Sequence, residues 1–252
     1  GSFDGVHAGH RVILKNVVDL AKRMGGTPAV LTMEPHPREF FSPDRAPNLL
    51  TSLDKKIELL EELGIEVVYV LPFDEKTASI PAEEFIGSIL DERCHAIAII
   101  VGHDCRFGYG AKGDIQLLER EGAEHGFTVQ QVAPVMLDAE RVSSTLCRER
   151  VLQGDLESIE SLLGRKYSIT GTVETGRGRG HELGFPTANI KPHHSAVPAQ
   201  GVYVAEAIVD GRVYPAAVNI GIAPTIRHED VTVEAHLLDY DGDLVGREIE
   251  IV

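Results

Sequence analysis

The ten residues GSFDGVHAGH at the front of the chain set Gly5 and Gly9 around two histidines three apart, His7 and His10. Glycines let backbone N–H groups approach phosphate oxygens, and a helix starting near His10–Arg11 points its positive end at the same spot. Each imidazole can add an N–H donor. Two loop histidines in isolation are more often surface polarity or capping groups; preceded by FDG and followed by a helical pattern, HxGH points instead to phosphate handling. That chemistry suits nucleotidyl transfer, in which the α-phosphate is attacked in line and charge builds on the departing pyrophosphate. Such a site must hold oxygens and stabilise charge more than it must supply a nucleophile. Two later segments can serve it. VSSTLCRER (142–150) places Ser143, Ser144 and Thr145 at a helix start with Arg148 one turn on, a second anion site or simply an N-cap. VGHDCRFGYGAKGD (101–114) is a glycine-rich turn after a strand-like run and carries Asp104 and Arg106.

The second half has its own candidates. In TGRGRGHELGFPTANI (175–190), Gly176, Gly178 and Gly180 alternate with Arg177 and Arg179, either a phosphate-binding arch or a solvated turn. Thr187 and Asn189 follow two apart, so in a strand they share a face and offer a hydroxyl and an amide oxygen, suitable ligands for Mg²⁺. In VTVEAHLL (231–238) alternation puts Thr232, Glu234 and His236 together. Glu234 is a general-base candidate if that face lines a site, and a solvent-side carboxylate otherwise.

These residues need a frame. Up to Gly164, helix-period segments alternate with short apolar runs. Val12, Val17, Val18 and Ala21 mark a first helix, and Pro28–Met33 a strand. Leu53–Leu63, with Ile57, Leu60 and Leu63 on one side, is a helix before the strand 65–71. Pro81–Glu92, opened by its own proline, precedes the strand 95–101, and Asp114–His125 precedes the strand 127–132. Continuous apolar strands between helices imply a parallel sheet covered on both faces, with ligands at the strands' carboxyl ends. Helices are expected at Ser144–Gln153 and Asp155–Leu163, and 35–48 reads as one long irregular segment. Beyond Gly164, segments rich in Val, Thr and Tyr are separated by Gly, Pro and Asp-Gly turns, as in a small barrel or sandwich. The expected domains are 1–164 and 165–252.

Length and composition agree with two soluble domains: 252 residues, 43% hydrophobic and 25% charged. No apolar run approaches membrane-span length. A net charge of −15, acidic in both halves, argues against a nucleic-acid partner. Cys94, Cys105 and Cys147 lack CxxC spacing and leave an odd thiol, which points to a reducing, cytoplasmic setting without disulfides or a zinc site. A loop like the front one normally follows a buried strand. None precedes Gly1, so a first strand is expected to be missing.

GSFDGVHAGH, VGHDCRFG and VSSTLCR, followed by PTAN, GVYVAEAIVDGRVYPAAVNIGIAPT and VEAHLLDYDGDLVG, resemble the bacterial bifunctional riboflavin kinase/FAD synthetase family over essentially the whole chain. The resemblance implies an α/β parallel-sheet (Rossmann-like) nucleotidyltransferase domain followed by an all-β small-barrel flavokinase domain. It implies that riboflavin is phosphorylated to FMN and FMN adenylylated to FAD, with ATP as co-substrate, ADP and pyrophosphate as products, and Mg²⁺ as the cofactor. On matching positions, His7, His10, Ser143, Ser144, Thr145 and Arg148 bind ATP. Thr187 and Asn189 bind Mg²⁺-nucleotide, and Glu234 accepts the proton of the ribityl hydroxyl. Cys105 stands where the family commonly has Phe, Cys147 where it has Ile, His181 where it often has Arg, and Val245 where it often has Tyr. The family's barrel continues past the point matching Val252, so a C-terminal part is also expected to be missing. No residue pattern identifies the flavin-ring contacts; the loop around Phe40 and Phe41 is the suggested place. Two alternatives stand beside this reading: an HxGH nucleotidyltransferase with another acceptor, and a non-catalytic flavin-binding fragment.

Overall fold

A computed structural model describes residues 1–175, 187–224 and 229–252. The chain forms two compact units, residues 1–47 with 56–142, and 48–55 with 143–252. The helical pair before Gly164 lies in the second of these units.

The first unit opens with α1 (Ala8–Met24), one turn earlier than the sequence pattern suggests because His7, not a later residue, caps it. Its far end stops at Gly25 in the left-handed conformation, φ 66°, with Lys22 and Arg23 in the last turn where they face the negative helix end. Leu14 is fully buried and Val17 and Val18 pack against the core as expected, while Val12 turns out to solvent. β1 (Ala29–Glu34) follows, then α2 (Pro37–Phe41), α3 (Leu53–Glu62) and β2 (Val67–Pro72). β1 and β2 pair in parallel from Ala29 opposite Val67 to Glu34 opposite Pro72. Leu59, Leu60 and Ile65 close over Val6, Leu14 and Val30 to make one core.

α4 (Glu75–Ala78) and α5 (Ala82–Glu84) lead into a π-helical stretch, Phe85–Asp91, in place of the single α-helix expected over 81–92. Its wider turns show in Glu92 and Cys94, whose N–H groups reach back five residues to Gly87 and Ile89. β3 (Ala98–Gly102), α6 (Ile115–His125) and β4 (Thr128–Val132) complete a second parallel pair over a core of Ala82, Ile86, Leu117, Leu118 and Phe127. A small antiparallel pair, β5 (Met136–Leu137) and β6 (Glu140–Arg141), ends the unit.

Parallel strands are as expected, but they form two separate pairs, not one continuous sheet. Nor are they covered on both faces: Tyr69 and Val70 of β2 are exposed and β3 is half-buried throughout. Segment 35–48 is also more ordered than its composition suggests. His36 and Glu39 make a reciprocal capping box around α2, with Pro37 at its first turn.

In the second unit α7 (Ser144–Gln153) and α8 (Leu156–Leu163) each end on a left-handed glycine, Gly154 and Gly164. Six strands then close a barrel: β7 (Ile169–Glu174), β8 (Ala188–Pro192), β9 (Gly201–Val209), β10 (Arg212–Pro224), β11 (Glu229–Leu237) and β12 (Glu248–Ile251). Their order around it is β10, β11, β8, β7, β12, β9, with every pairing antiparallel. Val173, Ile190, Ala207, Val218, Val233, Ala235 and Ile249 fill it, each alternating with an outward neighbour as period two requires.

Candidate functional site

The front loop is tightly wound. Gly5 takes φ 80°, and Phe3 and Val6 take φ 48° and 43°. A positive φ is costly for a β-branched residue, and Val6 holds it while fully buried against Leu14 and Val30. The loop therefore delivers His7 to the N-terminus of α1 in one position. His7 Nδ1 accepts the N–H of His10 at 3.3 Å, and the two rings stack with centroids 3.7 Å apart and planes within 14°. Because Nδ1 accepts, the proton of a neutral His7 sits on Nε2. The Phe3 ring also meets His10, tilted by 52° with centroids 5.1 Å apart. Burial, then His7, the Gly1 amine and Lys56, push the His10 pKa well below its ordinary value, so His10 is a neutral imidazole. Gly9 is where a side chain would intrude: a Cβ there would lie 3.1 Å from the His7 ring.

α1 packs against β3, which brings the carboxyl end of β3 to the same side. There Asp104 forms an ion pair with Arg141 of β6. Partial burial acts to raise the Asp104 pKa, but the Arg141 hydrogen bond and charge outweigh it and leave it lowered. Arg106 is exposed and donates to the Cys105 carbonyl at 3.3 Å. At the ends of β1 and β2, Phe40, Phe41 and Phe73 form an edge-on cluster with centroids 5.4 to 5.6 Å apart, and Phe41 is 65% exposed. Phe73 and the buried polar residues Asp4 and Lys56 are site features that the residue patterns did not single out. Lys56 had a readable signal, since it falls on the apolar stripe of α3 four residues before Leu60.

Ser143 lies in the second unit and caps α7, its Oγ accepting the Leu146 N–H at 3.2 Å. Ser144 opens the helix, Thr145 is exposed, and Arg148 is half-buried one turn on. The capping role of Ser143 is thus present in the structure; a hydroxyl oxygen so engaged still has a second lone pair.

On the barrel, β7, β8, β11 and β10 align one residue each in a row: Glu174 opposite Asn189, Asn189 opposite Glu234, Glu234 opposite Asn219. Asn189, Glu234 and Asn219 each lie between buried neighbours and Glu174 follows buried Val173, so all four look outward. Directly opposed residues lie about 5 Å apart, so Asn189 and Glu234, chosen from segments 45 positions apart, are next to each other. Thr187 and Asn189 flank buried Ala188, Thr187 just before β8 and Asn189 within it. Their hydroxyl and amide oxygens fit a hard divalent cation that keeps most of its ligands as water and phosphate. Asn219 was not anticipated, because only strand register reveals it. Gly176, Gly178 and Gly180, with Arg177, Arg179 and His181, lie outside the described residues.

A strained phosphate-type loop at a helix N-terminus over parallel strands, joined to a closed barrel with a carboxylate–amide row, is the make-up of a two-domain transferase. Comparison with known proteins gives the family. Residues 1–146 match the family model described as FAD synthetase, and residues 163–252 that described as riboflavin kinase. The bifunctional riboflavin kinase/FMN adenylyltransferase of Escherichia coli K12 is 37% identical over 100% of this chain and 81% of that protein. The corresponding proteins of Pseudomonas fluorescens and Bacillus subtilis are 38% and 36% identical, again over 100% of this chain, covering 81% and 80% of theirs. A solved structure described as a macrolide-efflux protein from Streptococcus pneumoniae superposes with a TM-score of 0.86 at 27% identity, covering 100% of this chain and 82% of that one. The chain belongs to the bifunctional riboflavin kinase/FMN adenylyltransferase family. No helix among the described residues is long and apolar enough to cross a membrane.

Proposed function

We propose that this chain phosphorylates riboflavin with ATP at the barrel and adenylylates the resulting FMN to FAD, releasing pyrophosphate, at the α/β domain. The observation that carries the reading is the presence of both chemical constellations in one chain: the stacked His7–His10 pair at the start of α1 and the adjoining Asn189–Glu234 pair on the barrel. The domains performing the two steps are taken as 1–164 and 165–252.

In the adenylyl-transfer step, Gly5 and Gly9 let backbone approach the ATP phosphates, and His7 and His10 donate to their oxygens. The Ser143–Ser144–Thr145 helix start and Arg148 take further phosphate charge, with Asp104 and Arg106 at the rim. Charge stabilisation and alignment carry the rate, with no covalent intermediate. The exposed edges and faces of Phe40, Phe41 and Phe73 suit a flavin ring. In the kinase step Glu234 takes the ribityl hydroxyl proton, Gly176, Gly178 and Gly180 cradle nucleotide phosphates, and Thr187 and Asn189 hold Mg²⁺. When bound, that ion neutralises phosphate charge. The acidic chain and odd cysteine count fit a cytoplasmic enzyme without nucleic-acid partners.

The test is to incubate the protein with riboflavin, ATP and Mg²⁺ and separate FMN from FAD by chromatography. His7→Ala should accumulate FMN without FAD, and Glu234→Gln should make no FMN yet convert supplied FMN. Normal FAD formation by His7→Ala removes the assignment of the front loop. Transfer of AMP to another acceptor in place of FMN removes the flavin reading.

A further inference from the structure

Gly221 of β10 stands on the outward face of the barrel, two residues beyond Asn219. It lies opposite Thr232 of β11, as Asn219 lies opposite Glu234, so the four positions form a square. Buried Ile220 and Val233 sit between them and point the other way. One corner of the square carries no side chain. A Cβ on Gly221 would meet Thr232 Oγ1 at 3.4 Å and Asn219 Nδ2 at 3.8 Å. Bare backbone thus floors a notch edged by a hydroxyl and an amide, with the Glu234 carboxylate at the diagonal corner. The backbone does not demand glycine here, because Gly221 is not among the positive-φ glycines. What glycine provides over alanine at this position is the open corner.

The notch and the proposed cation ligands lie on opposite sides of the base. β8 and β11 run antiparallel, with Ala188 opposite Ala235 and Asn189 opposite Glu234. The chain therefore enters β8 from the Ala235 side of Glu234, where Thr187 stands, while Thr232 and Gly221 lie beyond its other side. Phosphoryl transfer in line needs this order: nucleotide phosphate and cation on one side, acceptor on the other, and the base where they meet. Two residues of strand, about 7 Å, separate Glu234 from Thr232, the reach of a short hydroxylated chain. The lining suits such a chain, since hydroxyls donate to amide and hydroxyl oxygens and accept from an amide N–H.

We propose that this notch holds the polyol chain of the phosphoryl acceptor, with the terminal hydroxyl at Glu234 and inner hydroxyls at Asn219 and Thr232. The proposal rests on the kinase reading above and gives the ribityl chain its place within it. Contacts to inner hydroxyls select a polyol over a plain alkyl alcohol, because without those hydroxyls the polar lining loses its partners.

Gly221→Ala fills the corner without backbone strain. It should lower kcat/KM for riboflavin at least tenfold at saturating ATP. KM for ATP and the rate of FAD formation from supplied FMN should stay within twofold, and the Tm should be unchanged. Asn219→Ala is assayed with riboflavin and with a flavin bearing an ω-hydroxypentyl chain, which keeps the terminal hydroxyl and lacks the inner ones. The parent protein should prefer riboflavin at least tenfold in kcat/KM, and the variant should lose most of that preference. Riboflavin kcat/KM within twofold of the parent in Gly221→Ala, an unchanged preference in Asn219→Ala, or a raised KM for ATP alone would each overturn the proposal. So would failure of Gly221→Ala to fold, because the corner would then not be open space. Glu234→Gln is run in parallel. If it abolishes FMN formation while Gly221→Ala leaves riboflavin use intact, only the notch falls; if it has no effect, the kinase reading falls first.

Discussion

The imidazoles of His7 and His10 lie face to face at 3.7 Å, and the ring of the first accepts the backbone N–H of the second. One side chain thus caps the helix, fixes its own tautomer and positions its neighbour. Cationic rings would repel in this arrangement, which fits the lowered pKa of His10.

His10 should therefore stay neutral through the range where an ordinary histidine titrates. The unfolded ring takes up a proton near pH 6.5 and the folded ring does not, so the stability His10 contributes is complete above that pH and declines as pH falls below it. NMR titration of the imidazole resonances checks this; a His10 midpoint close to 6.5 would contradict it.

Gly9→Ala should impair FAD formation selectively. The new methyl would sit 3.1 Å from the His7 ring and push it off the His10 N–H. Misplacement by about 1 Å can cost on the order of 10²-fold in rate, so a loss of about ten- to a hundredfold is expected, with FMN formation retained. Equal loss of both activities would point to unfolding instead.

Ser143 separates stability from binding. Ser143→Ala removes the α7 cap and should lower stability by about 1 kcal/mol in urea unfolding. Ser143→Asp keeps a capping oxygen and adds a negative charge, so it should retain stability while raising KM for ATP. Unchanged KM in the aspartate variant would mean that the SST helix start serves only α7.

His194 gives the barrel unit its own acid sensitivity. It is 7% exposed, neither ring nitrogen has a hydrogen-bond partner among the described residues, and its ring meets Tyr167 edge-on at 6.0 Å. Burial first, then His193 and Arg165, lower its pKa from 6.5 to about 4. The unfolded state is the better proton binder between those values, so stability should fall as pH drops from 6.5 to 4, by up to about 3 kcal/mol. His194→Phe should flatten that slope in denaturant titrations at pH 7, 5.5 and 4.5. An unchanged slope would assign the effect to other groups.

Residue pattern revealed what depends on local spacing. HxGH, the helix-opening serines and the strand carrying Asn189 could be read because capping, turn geometry and strand alternation act over a few residues. What it could not reveal came from distant pairing. Asn219 joins Glu234 only through the β10–β11 register, and Phe73 meets Phe40 only because β1 and β2 end together. Hydrophobic periodicity also did not reveal the π-helical turns after Glu84 or the arrangement of the parallel strands as two pairs. Lys56 is the intermediate case: its stripe position was visible, but a charged residue in an amphipathic helix reads as solvent-facing until burial is known.

The barrel closes through β12, which pairs with β7 on one side and β9 on the other. During synthesis, β7 must wait for a partner made more than seventy residues later, since Thr172 faces Glu248. The kinase unit therefore acquires its closed form only after residue 251 has left the ribosome, and long-range closure of this kind is slow. The parallel pairs of the first unit are complete by Val132. A nascent chain arrested before β12 would hold both parallel pairs of the adenylyl-transfer unit but no closed barrel for making FMN.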